Sequence, residues 1–148
     1  GGVVNQMIGD GLMAIFGAPL PIADHCGSAV EAALEMIELV GMFNAERIAA
    51  GKVPITIGIG IASGAMVAGY AGTSKRATYT CIGATVNLAS RLESHTKDAQ
   101  RAILIDGATR DALHAGVAVE ALGLVQFKGK SNPTDVYSVT VNAGTPGS

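Results

Sequence analysis

The stretch VVNQMIGDGLMAIFG, residues 3–17, decides the fold class, because it opens the chain with two short apolar runs on either side of Gly-Asp-Gly. Asp-Gly between apolar runs is typical of a tight β-turn, since both residues tolerate the positive φ angles that such turns require. We therefore predict a β-hairpin with strands over residues 3–8 and 12–16. Asp10 would lie at the tip of this hairpin as an exposed carboxylate, and it is a first candidate for a functional group.

The rest of the chain mixes helix and strand patterns. Apolar residues recur at helical spacing from Ala29 to Phe43, which predicts a long amphipathic helix that ends before Gly51. Further strands are predicted over residues 55–62, 66–71, 77–82, 102–105, 117–128 and 136–141, and helices over 84–96 and 107–116. This order predicts an α+β fold with an antiparallel-rich mixed sheet flanked by helices.

Two glycines, Gly58 and Gly60, interrupt the apolar strand pattern of residues 55–62. A strand that lacks side chains on one face allows another element to approach closely, so we expect close packing there. We find no repeat and no linker, and interpret residues 1–141 as one domain and 142–148 as a C-terminal tail.

Composition excludes several classes of partner. A net charge of −2 with 10 basic and 12 acidic residues provides no field for nucleic acid and no basic patch for a membrane. The apolar stretch 55–70 is too short and too rich in glycine to span a bilayer, so we interpret it as two buried strands, and we expect no secretory leader at the start of the sequence. Cys26 and Cys81 lack metal-ligand spacing and are interpreted as reduced, packed thiols. We therefore expect a cytoplasmic location, including that of a cytoplasmic domain in a larger or membrane-tethered protein.

Asn87 and Arg91 lie four residues apart in GATVNLASRLES, residues 83–94. On a helix this spacing places a hydrogen-bonding amide and a fixed cation on one face, one turn apart. A solvated polar stripe would give the same pattern, so the spacing alone does not decide between a site and a surface.

Lys128 and Lys130 flank Gly129 in FKGK, at the end of an apolar run. A glycine allows the backbone to bend and to direct an ammonium group inward, where it would suit a phosphate as a compact charge. The alternative is a pair of solubilising lysines at the end of a strand.

Taken in order, IGDGLMAIFG, IGIGIASGAMVAGYAG, CIGATVNLASRLES and FKGK followed by VYSV resemble the catalytic domain of the class III nucleotide cyclases, the adenylate and guanylate cyclases. The resemblance covers nearly the whole sequence, to about residue 141. It implies a ferredoxin-like, palm-type fold and the conversion of ATP to 3′,5′-cyclic AMP and pyrophosphate.

The resemblance assigns roles to individual residues. Asp10 corresponds to a ligand of two divalent ions, Mg²⁺ or Mn²⁺, for which a carboxylate is a suitable hard ligand. Asn87 corresponds to the residue that orients the ribose, Arg91 to the one that stabilises charge on the α-phosphoryl group, and Lys128 to a phosphate contact. Lys130 is interpreted as structural.

The resemblance also implies a homodimer with nucleoside triphosphate sites at the interface, where Asp10 serves with Asn87 and Arg91 of the second chain. The family's other metal aspartate belongs to a motif like F-x-D-I-x-G-F, which nothing here matches. We therefore expect the sequence to be N-terminally incomplete relative to the family domain, without its first strand and helices and one metal ligand.

Base recognition departs from the family pattern. Gln6 stands where adenylate cyclases usually have a lysine, and Thr80 where they usually have an aspartate. Both side chains can donate and accept hydrogen bonds, so we expect a preference for ATP with some GTP turnover.

Two other functions are alternatives to a nucleotide cyclase. One is a non-catalytic cyclase-like module that binds nucleotide or dimerises in a signalling protein. A diguanylate cyclase would need a hairpin like GGDEF, which IGDGL is not.

Overall fold

The computed structural model describes residues 3–8, 11–18, 21–73 and 76–141. Its elements in chain order are β1 (Val3–Ile8), β2 (Gly11–Ile15), α1 (His25–Ala49), β3 (Ile59–Ile61), β4 (Val67–Thr73), β5 (Arg76–Ile82), α2 (Ala84–Ala99), β6 (Ile103–Asp106), α3 (Gly107–Ala112), β7 (Val119–Val125) and β8 (Thr134–Val139). The predicted mixture of helices and strands is confirmed.

The central sheet has four strands in the order β3-β6-β8-β7. β3 and β6 are parallel, whereas β6 and β7 each pair antiparallel with β8. The remaining strands form two antiparallel hairpins, β1 with β2 and β4 with β5. The predicted antiparallel-rich mixed sheet is therefore confirmed.

The strand β6 lies at the centre of the core, and all four of its residues are buried. Ile103 and Ile105 pack in a cluster with Val30 and Ala33 of α1. Leu104 belongs instead to a second cluster, which also contains Leu88, Leu92, Phe127 and Val136. Because side chains alternate along a strand, α1 and α2 cover opposite faces of the sheet.

The helix α2 packs closely on β3 and the residue before it, at the two glycines where close packing is predicted from the sequence. A Cβ atom on Gly60 would overlap the backbone oxygen of Ala89 and the backbone nitrogen of Glu93, and one on Gly58 would overlap the Thr96 hydroxyl. The expected close approach is confirmed, and it fixes the position of α2 on the sheet.

The helix α1 begins after Asp24, whose side chain accepts a hydrogen bond of 3.1 Å from the Gly27 amide. Near its C-terminal end, the side chain of Asn44 bonds to both backbone groups of Ile55, at 2.7 and 2.8 Å. Arg47 donates to the carbonyl of Val53 at 2.7 Å. The predicted strand 55–62 is therefore too long, because the backbone at Ile55 pairs with helix side chains instead of a neighbouring strand.

Four polar side chains, three of them buried and one partly buried, connect α1 to α3. The thiol of Cys26 lies 3.1 Å from the hydroxyl of Ser63, which lies 2.6 Å from that of Thr109. Thr109 donates from its hydroxyl to Asp106 at 2.6 Å and from its amide at 3.0 Å, which caps α3. Cys26 is a free, buried thiol as predicted, whereas the side chain of Cys81 lies outside the described residues.

Other predicted boundaries need correction. The prediction that 55–70 forms two buried strands is wrong for β4, where Val67 and Tyr70 are 71% and 72% exposed on a hairpin that is separate from the central sheet. The helix α3 ends at Ala112 because Leu113 adopts an extended conformation. β7 covers 119–125 and β8 134–139, since residues 127–130 form a turn. No helix within the described ranges combines the length and apolar character needed to cross a membrane.

Candidate functional site

The helix α2 carries two of the predicted site residues, Asn87 and Arg91. Both are exposed, while Leu88 and Leu92, each one position further along the helix, are buried in the core. The first turn of α2 is held by Thr85, whose hydroxyl donates to the carbonyl of Ala65 at 2.9 Å. The helix therefore presents an amide and a guanidinium to solvent from a position that the core fixes.

Lys128 lies in a tight turn that follows β7, and not at the end of the strand as predicted. The amide of Lys130 donates to the carbonyl of Phe127 at 3.2 Å and closes this turn. Gly129 has a φ angle of +88°, which residues other than glycine rarely adopt. Because Phe127 is buried, it anchors the turn to the core while Lys128 is exposed.

Arg91 lies directly beside this turn. One terminal nitrogen of its guanidinium, Nη2, is 3.5 Å from the position that a Cβ atom would occupy on Gly129. Leu92, next to Arg91, and Phe127, next to Lys128, belong to the same buried cluster. The fold thus brings the α2 face and the lysine turn together, although they are separated by more than thirty residues in the sequence.

The side chains of Asn87, Arg91 and Lys128 make no hydrogen bond or ion pair to any residue in the described part of the chain. A guanidinium and an ammonium that have no partner among the described residues and extend from neighbouring elements can bind an anion. Arginine matches the oxygens of a phosphate with its planar fork, and lysine provides a point charge. The geometry is therefore suited to a phosphorylated ligand.

Gln126 also belongs to the turn, although it was not among the predicted site residues. Its side-chain nitrogen donates to the carbonyls of Phe127 at 3.3 Å and Lys130 at 2.7 Å. A glutamine at the end of a strand has no distinctive sequence pattern, so only the folded geometry reveals this contact.

The other predicted site residues are only partly covered by the structure. Asp10 lies outside the described residues. Gln6 pairs with Met13 across the first hairpin and Thr80 with Gly69 across the second, but their side chains lie outside the description. Within the described ranges, no group of three or more histidine, cysteine, aspartate or glutamate residues could hold a metal ion. The roles of these three residues stay predictions.

Comparison with known proteins identifies the family. The model of the "Adenylate and Guanylate cyclase catalytic domain" matches residues 5–141. Adenylate cyclase 1 of Rhizobium meliloti is 34% identical over 97% of this chain, which spans only 23% of that protein.

Two solved structures share the fold closely. The adenylyl cyclase CyaB from P. aeruginosa is 32% identical with a TM-score of 0.85, over 95% of this chain and 72% of that one. The guanylate cyclase domain of RhGC from Catenaria anguillulae, solved in complex with GTP, is 31% identical with a TM-score of 0.79, over 95% of this chain and 73% of that one. The chain therefore belongs to the family of adenylate and guanylate cyclase catalytic domains, the class III nucleotide cyclases.

Proposed function

We propose that this domain converts a nucleoside triphosphate to its 3′,5′-cyclic monophosphate and pyrophosphate, with ATP as the preferred substrate and GTP as a secondary one. The observation that carries this proposal is the position of the Arg91 guanidinium beside the Lys128 turn, with neither cation paired to a described residue. Family membership adds the class of reaction, since relatives named as adenylate and as guanylate cyclases both match.

The proposed reaction is intramolecular. The ribose 3′-oxygen forms a bond to the α-phosphorus, the bond between that phosphorus and the bridging oxygen breaks, and pyrophosphate leaves with that oxygen. The hydroxyl proton passes to solvent. The nucleotide provides both reacting groups, so the protein acts by orienting them and by stabilising charge.

Each described residue has a proposed part in this reaction. Arg91 would hydrogen-bond to the α-phosphoryl oxygens, where negative charge accumulates in the transition state. Asn87, one turn earlier on the same face of α2, would hold the ribose. Lys128 would contact the phosphates, as its place in an exposed turn beside Arg91 allows.

The family generally uses divalent metal ions. We propose two ions per site, Mg²⁺ or Mn²⁺, with Asp10 as one ligand, because a carboxylate oxygen is a ligand that both metals prefer. When bound, such ions neutralise the triphosphate and polarise the attacking hydroxyl. This assignment rests on the resemblance at Asp10, which lies outside the described residues.

We further propose a homodimer with the sites at its interface. Val67 and Ile82 are neighbours across the β4–β5 hairpin, and both are largely exposed. Large apolar side chains paired on an exposed hairpin are suited to burial against another chain. We also propose a cytoplasmic location, where nucleoside triphosphates are available and the Cys26 thiol stays reduced.

Replacement of Arg91 by alanine tests the proposed function. In an otherwise complete domain, we expect turnover of ATP to fall roughly 100- to 1,000-fold, the loss typical of one preorganised transition-state donor. Cyclic nucleotide is measured by chromatography under steady-state conditions, and a thermal melt of each variant checks folding. The matched control is Arg101→Ala, which removes an exposed arginine that pairs with Glu120.

Turnover of Arg91→Ala within threefold of the parent would show that Arg91 does not have the proposed role. A parent protein that binds ATP without forming a cyclic product would instead support a non-catalytic nucleotide-binding module. The Arg101→Ala control should keep the parent's turnover.

A further inference from the structure

The turn that carries Lys128 accepts two hydrogen bonds from one side chain, that of Gln126. The Nε2 atom of Gln126 donates to the carbonyls of Phe127 and Lys130, the two residues at the ends of the turn. The backbone bond from Lys130 to Phe127, at 3.2 Å, joins the same two residues. Lys128 and Gly129 are therefore enclosed by two independent connections.

The side-chain connection matters because it contains the shortest hydrogen bond of the turn. The bond from Gln126 to the Lys130 carbonyl is 2.7 Å, whereas the bond from Gln126 to the Phe127 carbonyl and the backbone bond from Lys130 to Phe127 are 3.3 and 3.2 Å, at or beyond the long end of the normal range. A lysine side chain is long and flexible, so the backbone from which it leaves sets where its ammonium can reach. Loosening the turn would spread the Lys128 ammonium over more positions.

The turn also borders Arg91. The Nη2 atom of Arg91 is 3.5 Å from the position that a Cβ atom would occupy on Gly129, so the guanidinium lies beside the backbone of the turn. Gln126 thereby holds the part of the backbone that separates the two cations. Its side chain is exposed, so its replacement does not disturb the buried cluster around Phe127.

We propose that Gln126 is a positioning residue for phosphate binding, which holds the turn so that the Lys128 ammonium and the Arg91 guanidinium meet one triphosphate. This inference rests on the proposed function. Gln126 does not touch the nucleotide itself. It acts by donating both of its amide hydrogens to the carbonyls that enclose Lys128.

The test replaces Gln126 by methionine, which keeps the length of the side chain and removes its donors. The ligand is 3′-deoxy-ATP with Mg²⁺, because a nucleotide without the attacking hydroxyl binds without turnover. We expect the dissociation constant, measured by calorimetry, to rise about 2- to 10-fold, as for the loss of a net hydrogen bond. The exchange of the Lys130 amide with deuterium should accelerate by a similar factor.

The matched control is Gln100→Met, at an exposed glutamine at the C-terminal end of α2. In this variant, the dissociation constant and the rate of Lys130 amide exchange should keep the parent's values. A purely structural role for Gln126 would lower the melting temperature without the selective loss of affinity. In a double-mutant cycle, Gln126→Met should add little to the loss already caused by Lys128→Ala, because it acts through that lysine.

Equal losses from Gln126→Met in the presence and absence of Lys128 would overturn the inference and leave the proposed function intact. An unchanged affinity in Lys128→Ala alone would overturn the inference together with the phosphate contact proposed for Lys128. Unchanged amide exchange at Lys130 in Gln126→Met would show that the side chain does not hold the turn.

Discussion

The contact between α2 and β3 leaves no room for a side chain at Gly60, and Gly60→Ala tests this directly. The added methyl group would overlap the carbonyl of Ala89 and the amide of Glu93, and it would lie 2.9 Å from the Cβ atom of Leu92. Two of these three atoms belong to the backbone of α2, so a change of rotamer cannot relieve the overlap. The helix must move away from the sheet.

Overpacking of a core costs about 1–3 kcal/mol, and sometimes more. Because relief requires movement of a whole helix, we expect a cost of about 3 kcal/mol for Gly60→Ala. In a domain of this size, 1 kcal/mol shifts the melting temperature by roughly 2–4 °C, so the midpoint should fall by roughly 6–12 °C. Calorimetry or circular dichroism would measure the shift.

The control is Gly41→Ala, within α1, where a Cβ atom would meet nothing within 4 Å. There the gain in helix propensity should stabilise the protein by about 0.8–1 kcal/mol and raise the melting temperature. A Gly60→Ala protein that melts within 2 °C of the parent would refute the close packing. The same displacement of α2 would carry Arg91 away from the lysine turn, so cyclase activity should fall more than the stability loss explains.

Two further predictions concern base selection and the buried polar chain. Gln6→Lys combined with Thr80→Asp should sharpen the preference for ATP over GTP by about 1–3 kcal/mol, the cost of leaving buried groups of guanine unpaired. The ratio of kcat/KM for ATP to that for GTP measures this preference. A parent that already discriminates by more than about 10⁴-fold would show that other residues recognise the base. Thr109→Val keeps the shape of a fully buried side chain but removes the hydroxyl between Ser63 and Asp106, and should lower the free energy of unfolding by about 1–3 kcal/mol in denaturant titrations. A loss below about 0.5 kcal/mol would contradict the importance of that hydroxyl.

Much of the fold follows from local patterns in the sequence. The order of strands and helices, the antiparallel character and the close approach at Gly58 and Gly60 were all predictable, because alternation, helical spacing and missing side chains are local properties. The shortening of the strand before Ile59 was not, since it results from hydrogen bonds between Asn44 and Ile55, on different elements.

The candidate site divides in the same way. Asn87 and Arg91 could be placed on one helix face from their spacing alone. Their proximity to the Lys128 turn depends on the buried cluster that joins α2 to Phe127, and no local pattern encodes such a contact. The hydrogen bonds from Gln126 to the turn depend on one side-chain rotamer and so could not be predicted from the sequence.

The alternation of β6 has a consequence for how this domain can change during evolution. Ile103 and Ile105 face α1, whereas Leu104, between them, faces the helix that carries Asn87 and Arg91. Exchanges of residues on the α1 side that compensate one volume change by another should therefore leave unaltered the surface of β6 against which the helix with the proposed site residues packs. A four-residue strand thus separates sequence change beneath α1 from the packing of the helix that carries the proposed site.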